Sequence, residues 1–248
     1  MNPLIMIPAR MAATRLPNKP LADIGGKPMI VRAYEQAALS GLQVAVAAGD
    51  QEIVDVIEGI GGVAVLTDPD LPSGSDRIRA ALEAIDPDGV FDSVINLQGD
   101  MPFADPGLAT ACAALLHGEP RCDIATLVAR EADVSDRANP DVVKAVLALP
   151  EGERHGQALY FTRSTLYGDA PVWRHIGLYG YRREALLKFC AAPPSPLEKR
   201  EKLEQLRALE MGLTIWAAVI DDAPLSVDNP ADLEAAREAA GVRQQAAD

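Results

Sequence analysis

A chain of 248 residues, 48% of them hydrophobic and 24% charged, is long enough to bury the core of one large α/β domain. Its formal net charge of −13 argues against broad binding of nucleic acid or of an anionic membrane, both of which want a basic surface. No apolar run approaches the length of a membrane span, and Met1-Asn2-Pro3 lacks the charged and apolar regions of a secretory leader, so a cytoplasmic protein without membrane insertion is expected.

The first element is a short apolar run, Leu4-Ile5-Met6-Ile7, that reads as a buried strand. Directly after it Arg10, Arg15 and Lys19 fall within a loop that two prolines stiffen and Ala9, Ala12 and Ala13 keep slim. Cations just past a strand end suit an anion seat, because open α/β sheets bind ligands outside the carboxyl ends of their strands; a solvated surface loop is the competing reading. Pro28 opens a helix that runs to about Ser40, and Val44–Ala48 is the second strand. Asp50 is placed to cap a helix carrying Ile53, Val54, Val56, Ile57 and Ile60, and Val63–Leu66 is the third strand. This β-α-β-α-β rhythm predicts a doubly wound, mostly parallel sheet.

A turn-rich loop, Asp68 to Gly74, then feeds a helix from Ser75; Ser73 to Asp76 either cap that helix or offer its first amides to a ligand. Ser93–Leu97 is a buried strand with Gln98-Gly99-Asp100 at its end, where the Asp carboxylate either meets a ligand or caps the next segment. A helix over about 105–116 and a strand over Ile124–Val128 come next. From 131 to 174 the rhythm breaks into a β-hairpin, Val142–Leu149 and Gln157–Phe161, an excursion from a single domain spanning 1–248. Beyond it lie a strand over His175–Tyr181, a helix over 184–190, one continuous helix from about Pro196 to Met211, a strand over Thr214–Val219 and a C-terminal helix opened by Pro230. Asp228, just before that proline, could also serve as its cap. Cys112, Cys122 and Cys190 are odd in number and form no C-x-x-C, which fits reduced structural thiols.

The wording Pro8-Ala9-Arg10 followed by Thr14-Arg15-Leu16-Pro17 and Lys19-Pro20-Leu21 resembles the N-terminal signature of the 3-deoxy-manno-octulosonate cytidylyltransferases, the CMP-Kdo synthetases of lipopolysaccharide assembly. The likeness continues in order through Ile24–Ile30, Ser73–Arg77, Asn96–Asp100, Asn139-Pro140 with Val143-Lys144, His175–Arg182, Ser195–Glu198, Leu203–Arg207 and Val227–Pro230, almost the whole chain. It implies a Rossmann-like nucleotidyltransferase fold and an enzyme that joins CTP to Kdo, giving CMP-Kdo and pyrophosphate, as a homodimer whose contact lies in the excursion. By the same resemblance Ala9, Arg10, Arg15, Lys19, Ser73, Gly74, Arg77 and Gln98 bind the nucleotide. Arg163, His175, Tyr179, Glu204 and Gln205 bind the sugar acid, and Asp100 and Asp228 hold Mg2+. Arg10, Arg15 and Lys19 join the two aspartates in catalysis. Two positions depart from the pattern: Ala13 stands where a Ser is expected and Met101 where a Glu is expected. A synthetase for a related acid such as 8-amino-Kdo, or a nucleotide-binding homologue without turnover, are the alternatives.

Overall fold

Strand β1 (Pro3–Ala9) is apolar on both faces, with Leu4, Ile5, Met6 and Ile7 buried, as a strand sandwiched between helices in a parallel sheet must be. The computed structural model describes residues 1–12, 16–131, 134–168 and 170–245. In chain order β1 is followed by β2 (Asp23–Ile24), β3 (Lys27–Pro28), α1 (Met29–Ala38), β4 (Gln43–Ala48), α2 (Gln51–Gly59), β5 (Ala64–Leu66), α3 (Gly74–Ile85), β6 (Ser93–Asn96) and α4 (Pro106–Gly118). Then come β7 (Ile124–Arg130), β8 (Lys144–Ala148), β9 (His155–Thr162), β10 (Trp173–Arg182), α5 (Arg183–Ala191), α6 (Pro196–Glu201), α7 (Gln205–Glu210), β11 (Ile215–Ile220) and α8 (Pro230–Gln245). No helix among the described residues is long and apolar enough to cross a membrane.

The chain gathers into two compact units. One comprises Asn2–Phe91, Asn96–Ala109 and the chain from Pro224; the other comprises Asp92–Ile95 and Thr110–Ala223. In the first unit β5, β4 and β1 pair in parallel, with Leu4 opposite Gln43 and Val46 opposite Ala64. The Leu97 N–H donates to Met6 C=O at 3.1 Å, so the segment bearing Gln98-Gly99-Asp100 leaves beside the end of β1. β2 and β3 form a ribbon that the sequence reading did not contain. Its turn is Gly25-Gly26, at φ 58° and 80°, the left-handed pair that a two-residue hairpin requires. Helix α8 folds back over this ribbon: Leu233, Ala236 and Ala240 bury themselves with Ile24, Met29 and Val227, flanked by Leu16 and Phe103.

In the second unit β7 and β11 are parallel, while β10 and β9 join them antiparallel on either side. The β8–β9 hairpin is built into this sheet. β8 returns to pair with β10 at Trp173 and Arg174, so β10, β7, β11, β9 and β8 close on themselves and leave few free edges. The single helix expected over 196–211 is two helices. Lys202 adopts the left-handed conformation at φ 56°, which ends α6 and turns the chain before α7; helical periodicity does not report one reversed residue. Replacing Lys202 by Gly keeps this turn without a Cβ penalty. Lys202→Gly is expected to hold or raise stability by about 0.5–1 kcal/mol, read as a rise of a few degrees in Tm, whereas Lys202→Val lowers it.

Candidate active site

The first unit holds a cleft of about 250 Å3 at the carboxyl end of β1, lined by Ala9, Arg10, Lys19, Ser73, Gly74, Arg77, Gln98, Gly99 and Asp100. Lys19 opens a 3-10 turn behind Asn18, which takes the left-handed conformation that Asn tolerates best after Gly. The Lys19 Nζ donates to Asp100 Oδ2 at 2.8 Å and lies 3.5 Å from Asp228 Oδ1, so two aspartates far apart in sequence meet at one ammonium. Asp100 is the more enclosed partner, 23% exposed, whereas Asp228 is 54% exposed. A contact to a half-exposed carboxylate is worth about 0–1 kcal/mol, so Asp228 is held near the site and remains open to a stronger cation.

The backbone brings them together. Val227 N–H donates to Asp100 C=O at 2.9 Å, which lays the 227–228 segment against the end of the Gln98–Asp100 loop. Capping of α8 falls to Asn229, whose Oδ1 accepts from Ala231 N–H at 2.8 Å and Asp232 N–H at 3.1 Å; the Asp232 carboxylate accepts in return from the amides of Asp228 and Asn229. Asp228 is therefore not the cap, and its side chain is directed to Lys19 instead.

Several assigned residues serve the walls of the cleft. Arg77 is buried; its Nη1 donates to Thr67 Oγ1 at 2.7 Å and Asp68 C=O at 3.0 Å, and its Nη2 to Pro69 C=O at 3.1 Å. Burial, and after it the charge of Arg10, lowers its pKa, while the carboxylates of Asp50 and Asp68 pull it back up. Gly49 leaves room there, since a Cβ would sit 2.7 Å from Arg77 Nη1 and 3.1 Å from Arg10 Cβ and would force the Arg77 guanidinium to shift. Ser73 caps α3, accepting from Asp76 N–H at 3.1 Å and donating to Asp76 Oδ2 at 2.7 Å. What Ser73 and Gly74 present to the cleft is chiefly backbone. Gln98 Nε2 donates to Asn96 Oδ1 at 2.8 Å. Asp50 stands at the start of α2 yet makes no side-chain cap; its Oδ2 accepts from Met11 N–H at 2.7 Å and so anchors the cationic loop, a long-range contact that local patterning does not reveal. Arg15 and Ala13 lie outside the described residues. Met101 is buried, so the departure at that position places an apolar side chain in the core.

The residues assigned to a sugar acid belong to the second unit. His175 sits edge-on to Phe161 at 5.0 Å and beside Tyr179 at 5.3 Å. Where β10 bulges between Ile176 and Tyr179, Thr126 Oγ1 lies 3.2 Å from Ile176 C=O, 2.9 Å from Leu178 C=O and 3.0 Å from His175 Nε2. The single hydroxyl proton goes to a carbonyl, so the oxygen accepts from Nε2–H and leaves His175 Nδ1 as an acceptor. Sequence reading missed Thr126, whose only signal was a hydroxyl inside the apolar run Ile124–Val128. Tyr179 has its phenol pKa raised by burial, then by Tyr181 and Glu204. Gln205 is 7% exposed and its Nε2 has no partner among the described residues. Arg163 Nη1 donates to Pro140 C=O at 3.0 Å, and the buried Lys144 ammonium donates to Arg163 C=O at 2.9 Å and Asn139 C=O at 2.7 Å.

Comparison with known proteins identifies the family. A family model described as Cytidylyltransferase matches residues 4–215, which sets the class. The chain is 57% identical to a 3-deoxy-manno-octulosonate cytidylyltransferase of Parvibaculum lavamentivorans, over 96% of this chain and 92% of that protein. It is 55% identical to one of Rhodospirillum centenum, over 95% and 92% respectively. A solved structure described as CMP:2-keto-3-deoxy-manno-octonic acid synthetase complexed with CTP superposes with a TM-score of 0.89 at 34% identity, covering 98% of this chain and all of that one. The chain belongs to the cytidylyltransferase family and, within it, to the 3-deoxy-manno-octulosonate cytidylyltransferases.

Burial moves the His175 pKa down from its ordinary 6.5 to about 3. The unfolded chain therefore takes up a proton before the folded one does, and the contribution of the neutral ring, whole above pH 6.5, is lost as the pH falls from about 6.5 towards 3. Urea unfolding at pH 7 and pH 4.5 should show a larger loss of stability for the wild type than for His175→Asn; equal losses would place the ring in a solvated setting.

Proposed function

We propose that this chain transfers the cytidylyl group of CTP to Kdo, in the cytoplasm, for lipopolysaccharide assembly. The observation that carries the reading is the convergence of Lys19, Asp100 and Asp228 at a cleft walled by Arg10 and Arg77, in a chain so close to relatives named for this reaction. The anomeric hydroxyl oxygen of the sugar acid forms a bond to the α-phosphorus in line with the bond that breaks to pyrophosphate, and the hydroxyl proton passes to solvent. Such transfers rest mostly on positioning and charge neutralisation. Arg10, Arg15 and Lys19 hold the triphosphate and its departing charge. Ala9, Gln98 and the backbone of Ser73 and Gly74 seat the cytosine, while Arg77 supports the wall behind it.

Asp100 and Asp228 suit Mg2+, a hard cation that needs only one or two carboxylates when substrate oxygens complete its shell. The ion neutralises phosphate charge and lowers the pKa of the attacking hydroxyl when bound. For the sugar acid, Arg163 pairs with the carboxylate, His175 Nδ1 accepts from a hydroxyl, and Tyr179, Glu204 and Gln205 Nε2, which has no partner among the described residues, complete the hydrogen bonds. We also read the chain as a homodimer that uses the excursion. The reading is supported by an apolar hollow there lined by Val146, Leu147, Leu149, Leu166, Tyr167 and Trp173. Sedimentation equilibrium should return twice the chain mass, and the mass of a single chain would remove this part of the reading.

The test of the activity is Mg2+-dependent pyrophosphate release from CTP with Kdo. Asp100→Asn and Asp228→Asn are each expected to lower turnover by about a hundredfold with Tm little changed, and the double variant to be far less than multiplicatively worse. Near-normal turnover in Asp228→Asn would take it out of the site. Comparison of Kdo with 8-amino-Kdo decides the sugar acid, and comparable rates with UTP, ATP and GTP would overturn the assignment of CTP.

A further inference from the structure

Glu198 and Arg207 form an ion pair inside the second unit, 9% and 5% exposed. The pair is a two-point fork: Arg207 Nε donates to Glu198 Oε2 and Nη2 to Oε1, both at 2.8 Å. Nη1 of Arg207 reaches Ala192 C=O at 3.2 Å, and the guanidinium lies over the Phe189 ring at 4.4 Å. Glu198 also closes a capping box with Ser195, whose N–H donates to Oε2 at 2.9 Å. Between the two charged residues the chain turns at left-handed Lys202, and Leu203 N–H donates back to Glu198 C=O at 3.3 Å. Glu204 and Gln205 come immediately after that turn, at the start of α7.

We infer that the Glu198–Arg207 fork is a positioning device for the sugar acid: it closes the turn at Lys202 and so fixes where Glu204 and Gln205 stand. A left-handed non-glycine residue is strained and is held only if its surroundings insist on it. Here the chain on both sides of the turn is tied to one planar fork, and a planar fork sets an angle as well as a distance. The same fork grips the ring at one end of an aromatic run, Phe189 to Tyr181 at 6.1 Å, Tyr181 to Tyr179 at 5.9 Å and Tyr179 to His175 at 5.3 Å. Two more residues assigned to the sugar acid thus stand on the same support. The residues lining the nucleotide cleft belong to the other unit, so a fault in this fork is selective for one substrate.

The inference rests on the assignment of Glu204 and Gln205 to the sugar acid, and initial-rate kinetics of the full chain separate the two. Arg207→Lys keeps the charge and loses the fork; KM for Kdo should rise roughly tenfold while KM for CTP stays within about twofold. Glu198→Met with Arg207→Met strands no buried charge, so Tm should fall by no more than the few degrees that loss of the Ser195 capping box explains, while the same selective rise in KM appears. If Glu204→Ala and Gln205→Ala leave the KM for Kdo unchanged, the sugar assignment itself has failed. If they raise it while Arg207→Lys leaves it at the wild-type value, or raises both KM values together, the positioning role is overturned and the sugar assignment stands.

Discussion

The hydrogen bond from Val227 N–H to Asp100 C=O is the contact on which the site depends. It joins the exit of a buried strand to the segment that enters the last helix, and no local pattern in either stretch calls for the other. Apolar burial holds the contact in place. Helix α8 drives Leu233, Ala236 and Ala240 onto Ile24 and Met29, and Val227 is drawn into the same cluster. Burying side chains of this size is worth about 1.5–3 kcal/mol for each large one, well above the roughly 1 kcal/mol net of the hydrogen bond. The core therefore sets the geometry and the hydrogen bond fixes its register. Asp228 is the next residue, with its backbone tied by the Asp232 carboxylate.

Electrostatics explains why the arrangement persists in a chain of net charge −13. Two carboxylates brought to one point repel each other, and the ammonium of Lys19 offsets that repulsion. The lysine can do so because Asn18 turns the chain just before it and the 3-10 turn presents it toward Asp100. On the opposite wall Arg77 is committed to the 67–69 loop, and Gly49 leaves room for it next to Arg10. The cleft is thus a place where a structural cation, Arg77, stands beside two others, Arg10 and Lys19, that line the opening with it.

In the second unit a polar set is built on an apolar frame. Five strands close upon themselves, and a bulge in β10 brings two carbonyls within reach of the Thr126 hydroxyl, whose single proton serves one of them. That same hydroxyl fixes the His175 tautomer. Neutrality of the ring comes from burial, so its hydrogen-bond role does not vary across the physiological pH range.

The sequence alone determined most of the strands and helices, because continuous apolar runs and 3.6-residue periodicity are local quantities, and it singled out Lys19, Asp100 and Asp228 as candidate residues through ordered motifs. It could not show that Asp50 reaches Met11 instead of capping α2, or that Arg77 spends its donors on a loop. A side chain's partner is chosen by packing between segments distant in the chain. Nor did periodicity register the reversal at Lys202 or the glycine ribbon at 23–28, where one or two positive φ angles redirect the backbone. The tertiary structure decided which carboxylates meet, which cations line the cleft and which amide, that of Gln205, has a donor without a partner among the described residues. Composition and periodicity carry the tendency to bury a surface, whereas the position of a charge is set by the neighbours that burial brings beside it.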